Sequence, residues 1–340
     1  MSRHERIIAI EEHFVSPMMA RGFSGHHKLT SFMHSTRRLE DLGDARIREM
    51  DEAGIDVQVI SHMQPGPQVF EPDMSVALAR QANNILHDGI AMRPDRFAGF
   101  AALPTPNPEA AADELERTVT EFAFKGAVIN GLTNGSFLDD RKFRPIFERA
   151  AKLDVPIYLH PAIPSESVVK TYYDGYRTND YPILMGAVWG FTVETATHAL
   201  RLILSGVFAE YPRLKIILGH LGETLPFLLW RLEWTYNNLT KKAGIAECFR
   251  RHFYVTTSGN FSQPALLCTM MELGVDRILF AVDWPFNSNI EGVEFIRTAS
   301  IKPGGEIENF RRQRGRFASS LVPPPACCIL ACRLHLALRQ

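Results

Sequence analysis

Short apolar runs rich in β-branched and aromatic residues alternate along this chain with longer stretches of helical apolar spacing. Ile7–Ile10 is the first run. Asp56–Ser61, Phe97–Leu103, Gly126–Asn130, the run ending at His160, the run ending at His220, Phe253–Ser258 and the run ending at Asp283 follow. Between them the spacing predicts helices over Leu42–Ala53, stopped by Gly54, and over Asp73–Met92, with Asp73 as its cap. Further helices are predicted over Pro108–Phe122, Asp140–Leu153, Thr192–Phe208, Glu223–Leu239 and Pro264–Leu273. Strands that alternate with helices predict a parallel sheet. Eight such units predict closure into a single-domain α/β fold, a (β/α)8 TIM-type barrel. A doubly wound open sheet is the alternative, weakened because no Gly-x-Gly-x-x-Gly follows the first strand.

The pattern places residues 1–309 in the barrel, with loop insertions near 16–38 and 161–191. Such loops are where substrate specificity is expected. From residue 310 the periodicity dissolves into an Arg-rich stretch, Pro323-Pro324-Pro325 and Cys327-Cys328, so residues 310–340 are expected to form an atypical, solvated or disordered tail.

Acid, base and metal-ligating side chains recur just after the apolar runs, where a parallel barrel collects its chemistry. Glu11 and His13 follow the first run, and residues two apart in a strand face the same way, so both are expected inside with Glu12 turned out. Glu-x-His suits a divalent metal with O and N ligands, against a plain reading of surface charges and a stray His. His160 ends an apolar run before Pro161, where a hydrogen-bonded core His is the competing reading. His220 sits in Gly219-His220-Leu221-Gly222-Glu223, with Glu223 placed in the first turn of the next helix, either to orient His220 or only to favour that helix end. Asp283, between Val282 and Trp284, is either a ligand or a helix cap. Arg231 offers a fork for a substrate carboxylate but equally a surface ion pair. Phe23, Trp189 and Phe286 are aromatic walls or ordinary core.

The 340 residues are 46% hydrophobic and 22% charged with a net charge of −1. Near-neutral charge gives no reason to expect nucleic acid or an anionic membrane as partner. The N-terminus lacks a signal peptide's apolar segment, and no run is long enough to span a bilayer. Five cysteines, three of them near the end, do not make a disulfide framework, so a cytoplasmic location is expected.

Taken in order, Glu11-Glu12-His13-Phe14, Tyr158-Leu159-His160-Pro161, Trp189–Thr195, Gly219–Glu223, Trp230-Arg231-Leu232 and Ala281–Phe286 resemble the amidohydrolase-related metal-dependent decarboxylases, among them the γ-resorcylate, 2,3-dihydroxybenzoate and 5-carboxyvanillate decarboxylases. The likeness runs from about residue 7 to residue 300. It implies one divalent ion, Zn²⁺ or Mn²⁺, no organic cofactor, and Glu11, His13, His160 and Asp283 as ligands. It further implies His220 and Glu223 as catalytic residues, Arg231 in substrate binding, a small aromatic carboxylic acid as substrate, and a homodimer or homotetramer; Asp283 is in addition expected to be catalytic, as the proton donor. The closing helix usual in such proteins has no match in Phe310–Gln340. The expected activity is non-oxidative decarboxylation of an ortho-hydroxylated benzoate. A metal-dependent hydrolase of a lactone, amide or related acyl group on the same barrel is the second reading, and a catalytically defective binding protein the third.

Overall fold

The computed structural model describes residues 6–23, 36–178, 181–242 and 244–299. The tail expected over 310–340, and residues 24–35 of the first insertion, lie outside them.

The strands are β1 (Ile8–Phe14), β2 (Val57–His62), β3 (Phe97–Gly99), β4 (Ala101–Ala102), β5 (Ala127–Asn130), β6 (Ile157–His160), β7 (Arg177–Thr178), β8 (Tyr181–Pro182), β9 (Ile216–Leu218), β10 (Phe253–Thr256) and β11 (Ile278–Leu279). β1, β2 and β3 pair in parallel, as do β4, β5, β6, β9, β10 and β11 in that order. β3 and β4 are one run interrupted at Phe100, whose N–H still donates to Ile60 O. A parallel bridge between Ile10 and Ala281 joins the two ends. The expected barrel is therefore the fold, and β7 and β8 form only a small antiparallel hairpin in the second insertion.

The strands are short, and their side chains alternate between two apolar layers. Ile8, Ile10, Val59, Phe100, Tyr158 and Ile217 fill the barrel interior. Ala9, Ile60, Ile129, Leu159 and Leu218 face the other way, into the larger core under the surrounding helices. Each fully buried aliphatic side chain contributes roughly 1.5–3 kcal/mol, so both layers hold the strand ends rigidly.

Local chemistry shifts several element ends. The helix Asp44–Ala53 stops where Gly54 takes φ 80° and donates its N–H to Asp51 O and Met50 O. The helix Pro72–Met92 starts one residue earlier than expected, and Asp73 lies in its first turn instead of capping it. Pro72 needs no N–H partner there, which lets it open the helix. Asp140 caps a 3₁₀ turn, Arg141–Phe143, before the helix Arg144–Leu153. The helix expected over Thr192–Phe208 is Gly190–Leu204 and then Val207–Glu210, broken at Gly206 with φ 82°. The second insertion folds into a short helical turn, Glu166–Val168, a π turn, Val169–Tyr173, and the hairpin. Its apolar residues Ile163, Val169, Tyr173 and Met185 make a small core of their own.

Candidate metal centre and active site

Strict alternation from Ile8 and Ile10, which point inward, would send Glu12 into the barrel and Glu11 out of it. The chain corrects this with a bulge. The β1–β2 register slips between Ile10 and Glu12, and Glu11 adopts φ 66°. Glu11 and His13 thereby join the inward set. Glu12 takes the opposite side and is fully buried there, not a surface charge.

Glu11, His13, His160 and Asp283 each bring one ligand atom to a common point, all within 4.8 Å of one another. The hydrogen bonding of His160 and Glu11 leaves lone pairs aimed at that point. His160 Nδ1 donates to Pro161 O at 2.7 Å, so Nε2 carries the lone pair, and it lies 3.4 Å from Glu11 Oε1. His13 Nε2 lies 3.1 Å from Asp283 Oδ1 without hydrogen-bond alignment. The hydroxyls of Tyr158 and Thr256 both donate to Glu11 Oε2, which leaves buried Oε1 with no partner. Burial holds Glu11 well above the usual carboxylate range, with His220 opposing and Asp283 reinforcing the shift. Burial, and then the neighbouring His13 and His220, push His160 well below the usual imidazole range. Two carboxyl groups and two imidazoles buried against one another are costly unless a cation lies between them. The donor set, two O and two N, fits a borderline divalent ion.

His220 stands beside this cluster. Its Nδ1 is 2.7 Å from Glu223 Oε1 and its Nε2 4.0 Å from Glu11 Oε1. Burial lowers the His220 pKa, but Glu223, Glu11 and Asp283 together outweigh that and push it up to about 10. The sequence places Glu223 in the first turn of the following helix. Instead, His220, Leu221, Gly222, Glu223 and Thr224 all have positive φ, and the right-handed helix starts only at Leu225. A left-handed turn costs roughly 1–2 kcal/mol per non-glycine residue, and here it folds Glu223 back under the imidazole.

The aromatic and cationic candidates separate. Phe286 is at the centre, its ring 5.7 Å from that of His13. Phe23 is buried and stacked on Phe70 at 5.6 Å. Trp189 is half exposed at the start of the helix Gly190–Leu204. Arg231 is exposed on the helix Leu225–Thr240, in line with exposed Phe227, Trp230 and Trp234, and is not among the residues gathered at the centre. Tyr158 and Thr256 carry roles that sequence reading missed. The available signal was Tyr158 two positions before His160 on one strand face.

Residues 23–300 match a family whose description is "Amidohydrolase". The chain belongs to the amidohydrolase family. It is 38% identical over 319 residues to the γ-resorcylate decarboxylase of Rhodococcus jostii (strain RHA1), covering 88% of this chain and 94% of that one. A solved 2,6-dihydroxybenzoate decarboxylase in complex with 2,6-dihydroxybenzoate superposes with a TM-score of 0.79 at 38% identity, covering 88% and 94%. A dihydroxybenzoic acid decarboxylase from Polaromonas sp. JS666, solved with manganese and 2-nitroresorcinol, gives 0.78 at 39% identity over 88% and 92%. The four-residue centre of this amidohydrolase thus sits at the strand-end position where the fold carries its chemistry. No helix among the described residues is long and apolar enough to cross a membrane.

Proposed function

We propose that this amidohydrolase is a non-oxidative decarboxylase of an ortho-hydroxylated benzoate. The observation that carries the reading is the cluster Glu11, His13, His160 and Asp283 with the His220–Glu223 pair beside it, in a chain so similar to enzymes named as γ-resorcylate decarboxylases. The four residues would hold one Mn²⁺ or Zn²⁺, which supplies positive charge to bind the substrate's carboxylate and phenolic oxygen.

The protein's own groups do the rest. The phenolic oxygen donates electron density to the ring carbon that bears the carboxylate. Asp283 takes up the proton that the phenol loses and delivers it to that carbon; a C–H bond forms, and the ring loses aromaticity. The bond to the carboxylate then breaks, CO₂ leaves, and its electron pair restores the ring. His220, held cationic by Glu223, steadies the charge on the phenolic oxygen. Phe286 walls the ring beside His13. A cavity of about 240 Å³ next to the strand of His160, lined by Val69, Asn130, Leu132, Ala162 and Ile163, offers space for a ring substituent. Arg231 remains a proposed carboxylate contact on sequence grounds alone. We propose a homodimer or homotetramer in the cytoplasm, on the same family likeness and the cysteine usage.

The test is CO₂ release from a panel of ortho-hydroxybenzoates, with metal assayed on the same sample. Release that a chelator abolishes and Mn²⁺ or Zn²⁺ restores supports the lyase. A folded, metal-loaded protein that releases none would transfer the assignment to the hydrolase.

A further inference from the structure

The residue between the two ligands of β1 has no place in the chemistry above, yet its surroundings are closely built. Glu12 is fully buried. Its Oε1 accepts the N–H of Val282 at 2.9 Å, and its Oε2 accepts the N–H of Trp284 at 3.0 Å. These are the amides on either side of Asp283. In an extended strand two amides so placed are about 7 Å apart, too far for one carboxylate to hold both well. Asp283 has φ 74°, a left-handed conformation that draws them together. Such a conformation is strained for a residue with a Cβ and persists only where the surroundings impose it.

The surroundings do so from both sides. Thr257 Oγ1 donates to Ala281 O and accepts the Ala281 N–H. The His13 N–H donates to Trp284 O at 2.8 Å. Behind Glu12, Gln58 Nε2 approaches Oε2 at 3.5 Å, and Gln58 Oε1 accepts from Arg46 Nη1 at 3.3 Å. Arg46, itself fully buried, donates to His13 O and lies over the Trp284 ring at 3.9 Å. One carboxylate thus joins the first strand of the barrel to the last at the residue that must face the metal centre.

We propose that Glu12 is a positioning residue: its carboxylate, braced by Gln58 and Arg46, clamps the backbone around Asp283 in the left-handed turn that presents the Asp283 carboxylate to the metal centre. The inference rests on reading that centre as a metal site. It assigns a role to a side chain that touches neither the ion's ligand atoms nor the substrate.

Two measurements test it. Amide hydrogen exchange on the metal-free wild-type chain needs no variant: the Val282 and Trp284 amides are expected to be protected before any metal is added. Free exchange of both overturns the clamp. The second is a cycle of Mn²⁺ affinities by competition titration for Glu12→Asp, which keeps the charge but shortens the reach, and Glu12→Gln. Each is made in the native background and in Asp283→Ala. Loss of the clamp is expected to weaken Mn²⁺ binding about 10–100-fold in the native background, and less than twofold once Asp283 is gone. An equal loss in both backgrounds, or none in either, overturns the proposal, because a merely structural role would not depend on Asp283. If the wild-type chain bound no Mn²⁺, the metal reading would fall, and the exchange data alone would decide the clamp.

Discussion

His220 Nδ1 lies 2.7 Å from Glu223 Oε1, and every residue from His220 to Thr224 is left-handed. A right-handed start to this helix would carry Glu223 away from the imidazole. The turn therefore spends conformational energy to fix the orientation and the positive charge of His220 beside Glu11. Glu223→Gln keeps the size of the side chain and removes the charge that most raises His220. The expected result is a fall in kcat of about 10–100-fold, with a cooperative melt retained. Steady-state kinetics beside a circular-dichroism melt check both halves, and an unchanged kcat would remove Glu223 from the mechanism.

Glu11 offers only one oxygen to the centre because Tyr158 and Thr256 occupy the other. Tyr158→Phe deletes one of these donors while leaving the ring in the barrel interior. Manganese affinity is expected to drop about 10-fold, visible as a smaller rise in melting temperature on adding Mn²⁺. Saturating metal should recover much of the activity. A variant that binds Mn²⁺ like the parent would mean that Thr256 alone suffices to orient Glu11.

The barrel was legible because eight apolar runs and the helices between them each carry a strong periodic signal. Most helix ends fell within a residue or two where a proline or glycine marks them, as at Gly54. The chemistry was legible as a conjunction of residues at strand ends, and the structure brings Glu11, His13, His160 and Asp283 to one point. What escaped was backbone detail that residue type does not encode. The bulge at Glu11 breaks the alternation on which the inward placement was argued. The left-handed turn at His220 was hidden because Leu221 and Thr224 have no preference for it. Burial of Glu12 and Arg46 was invisible because each is ordinarily a surface residue, and only the fold pairs them through Gln58.

In the proposed reaction Asp283 both holds the ion and protonates the ring. Asp283→Asn retains the volume and a ligand oxygen but has no acid proton to give. Turnover is expected to fall at least about 100-fold, while Mn²⁺ still binds, more weakly than in the parent. Single-turnover CO₂ release from metal-saturated variant separates the two effects. Full turnover with metal bound would sink the assignment of Asp283 as the proton donor.

Two further buried histidines, His198 and His62, make the fold sensitive to acid. His198 Nε2 accepts the Leu138 N–H at 2.8 Å, and His62 Nε2 accepts the Ser16 N–H at 3.1 Å, so each must be neutral to keep its bond. Burial pulls His198 down to about 3, helped by Arg201. It pulls His62 down to about 4, against the Met63 carbonyl and with His13. The unfolded chain binds these protons near pH 6.5, so between that pH and the folded values the unfolded state holds more protons and stability rises with pH. The stability that neutral His198 and His62 contribute is fully present above pH 6.5 and is lost as pH falls towards 4 and 3. Each group steepens that loss by up to about 1.4 kcal/mol per pH unit. Urea midpoints of metal-free protein from pH 7 to pH 4 measure the slope. His198→Asn, whose side-chain oxygen can still accept the Leu138 N–H, is expected to flatten it by about one group's share, and a variant with the parent's slope would show that His198 is not buried as a neutral acceptor.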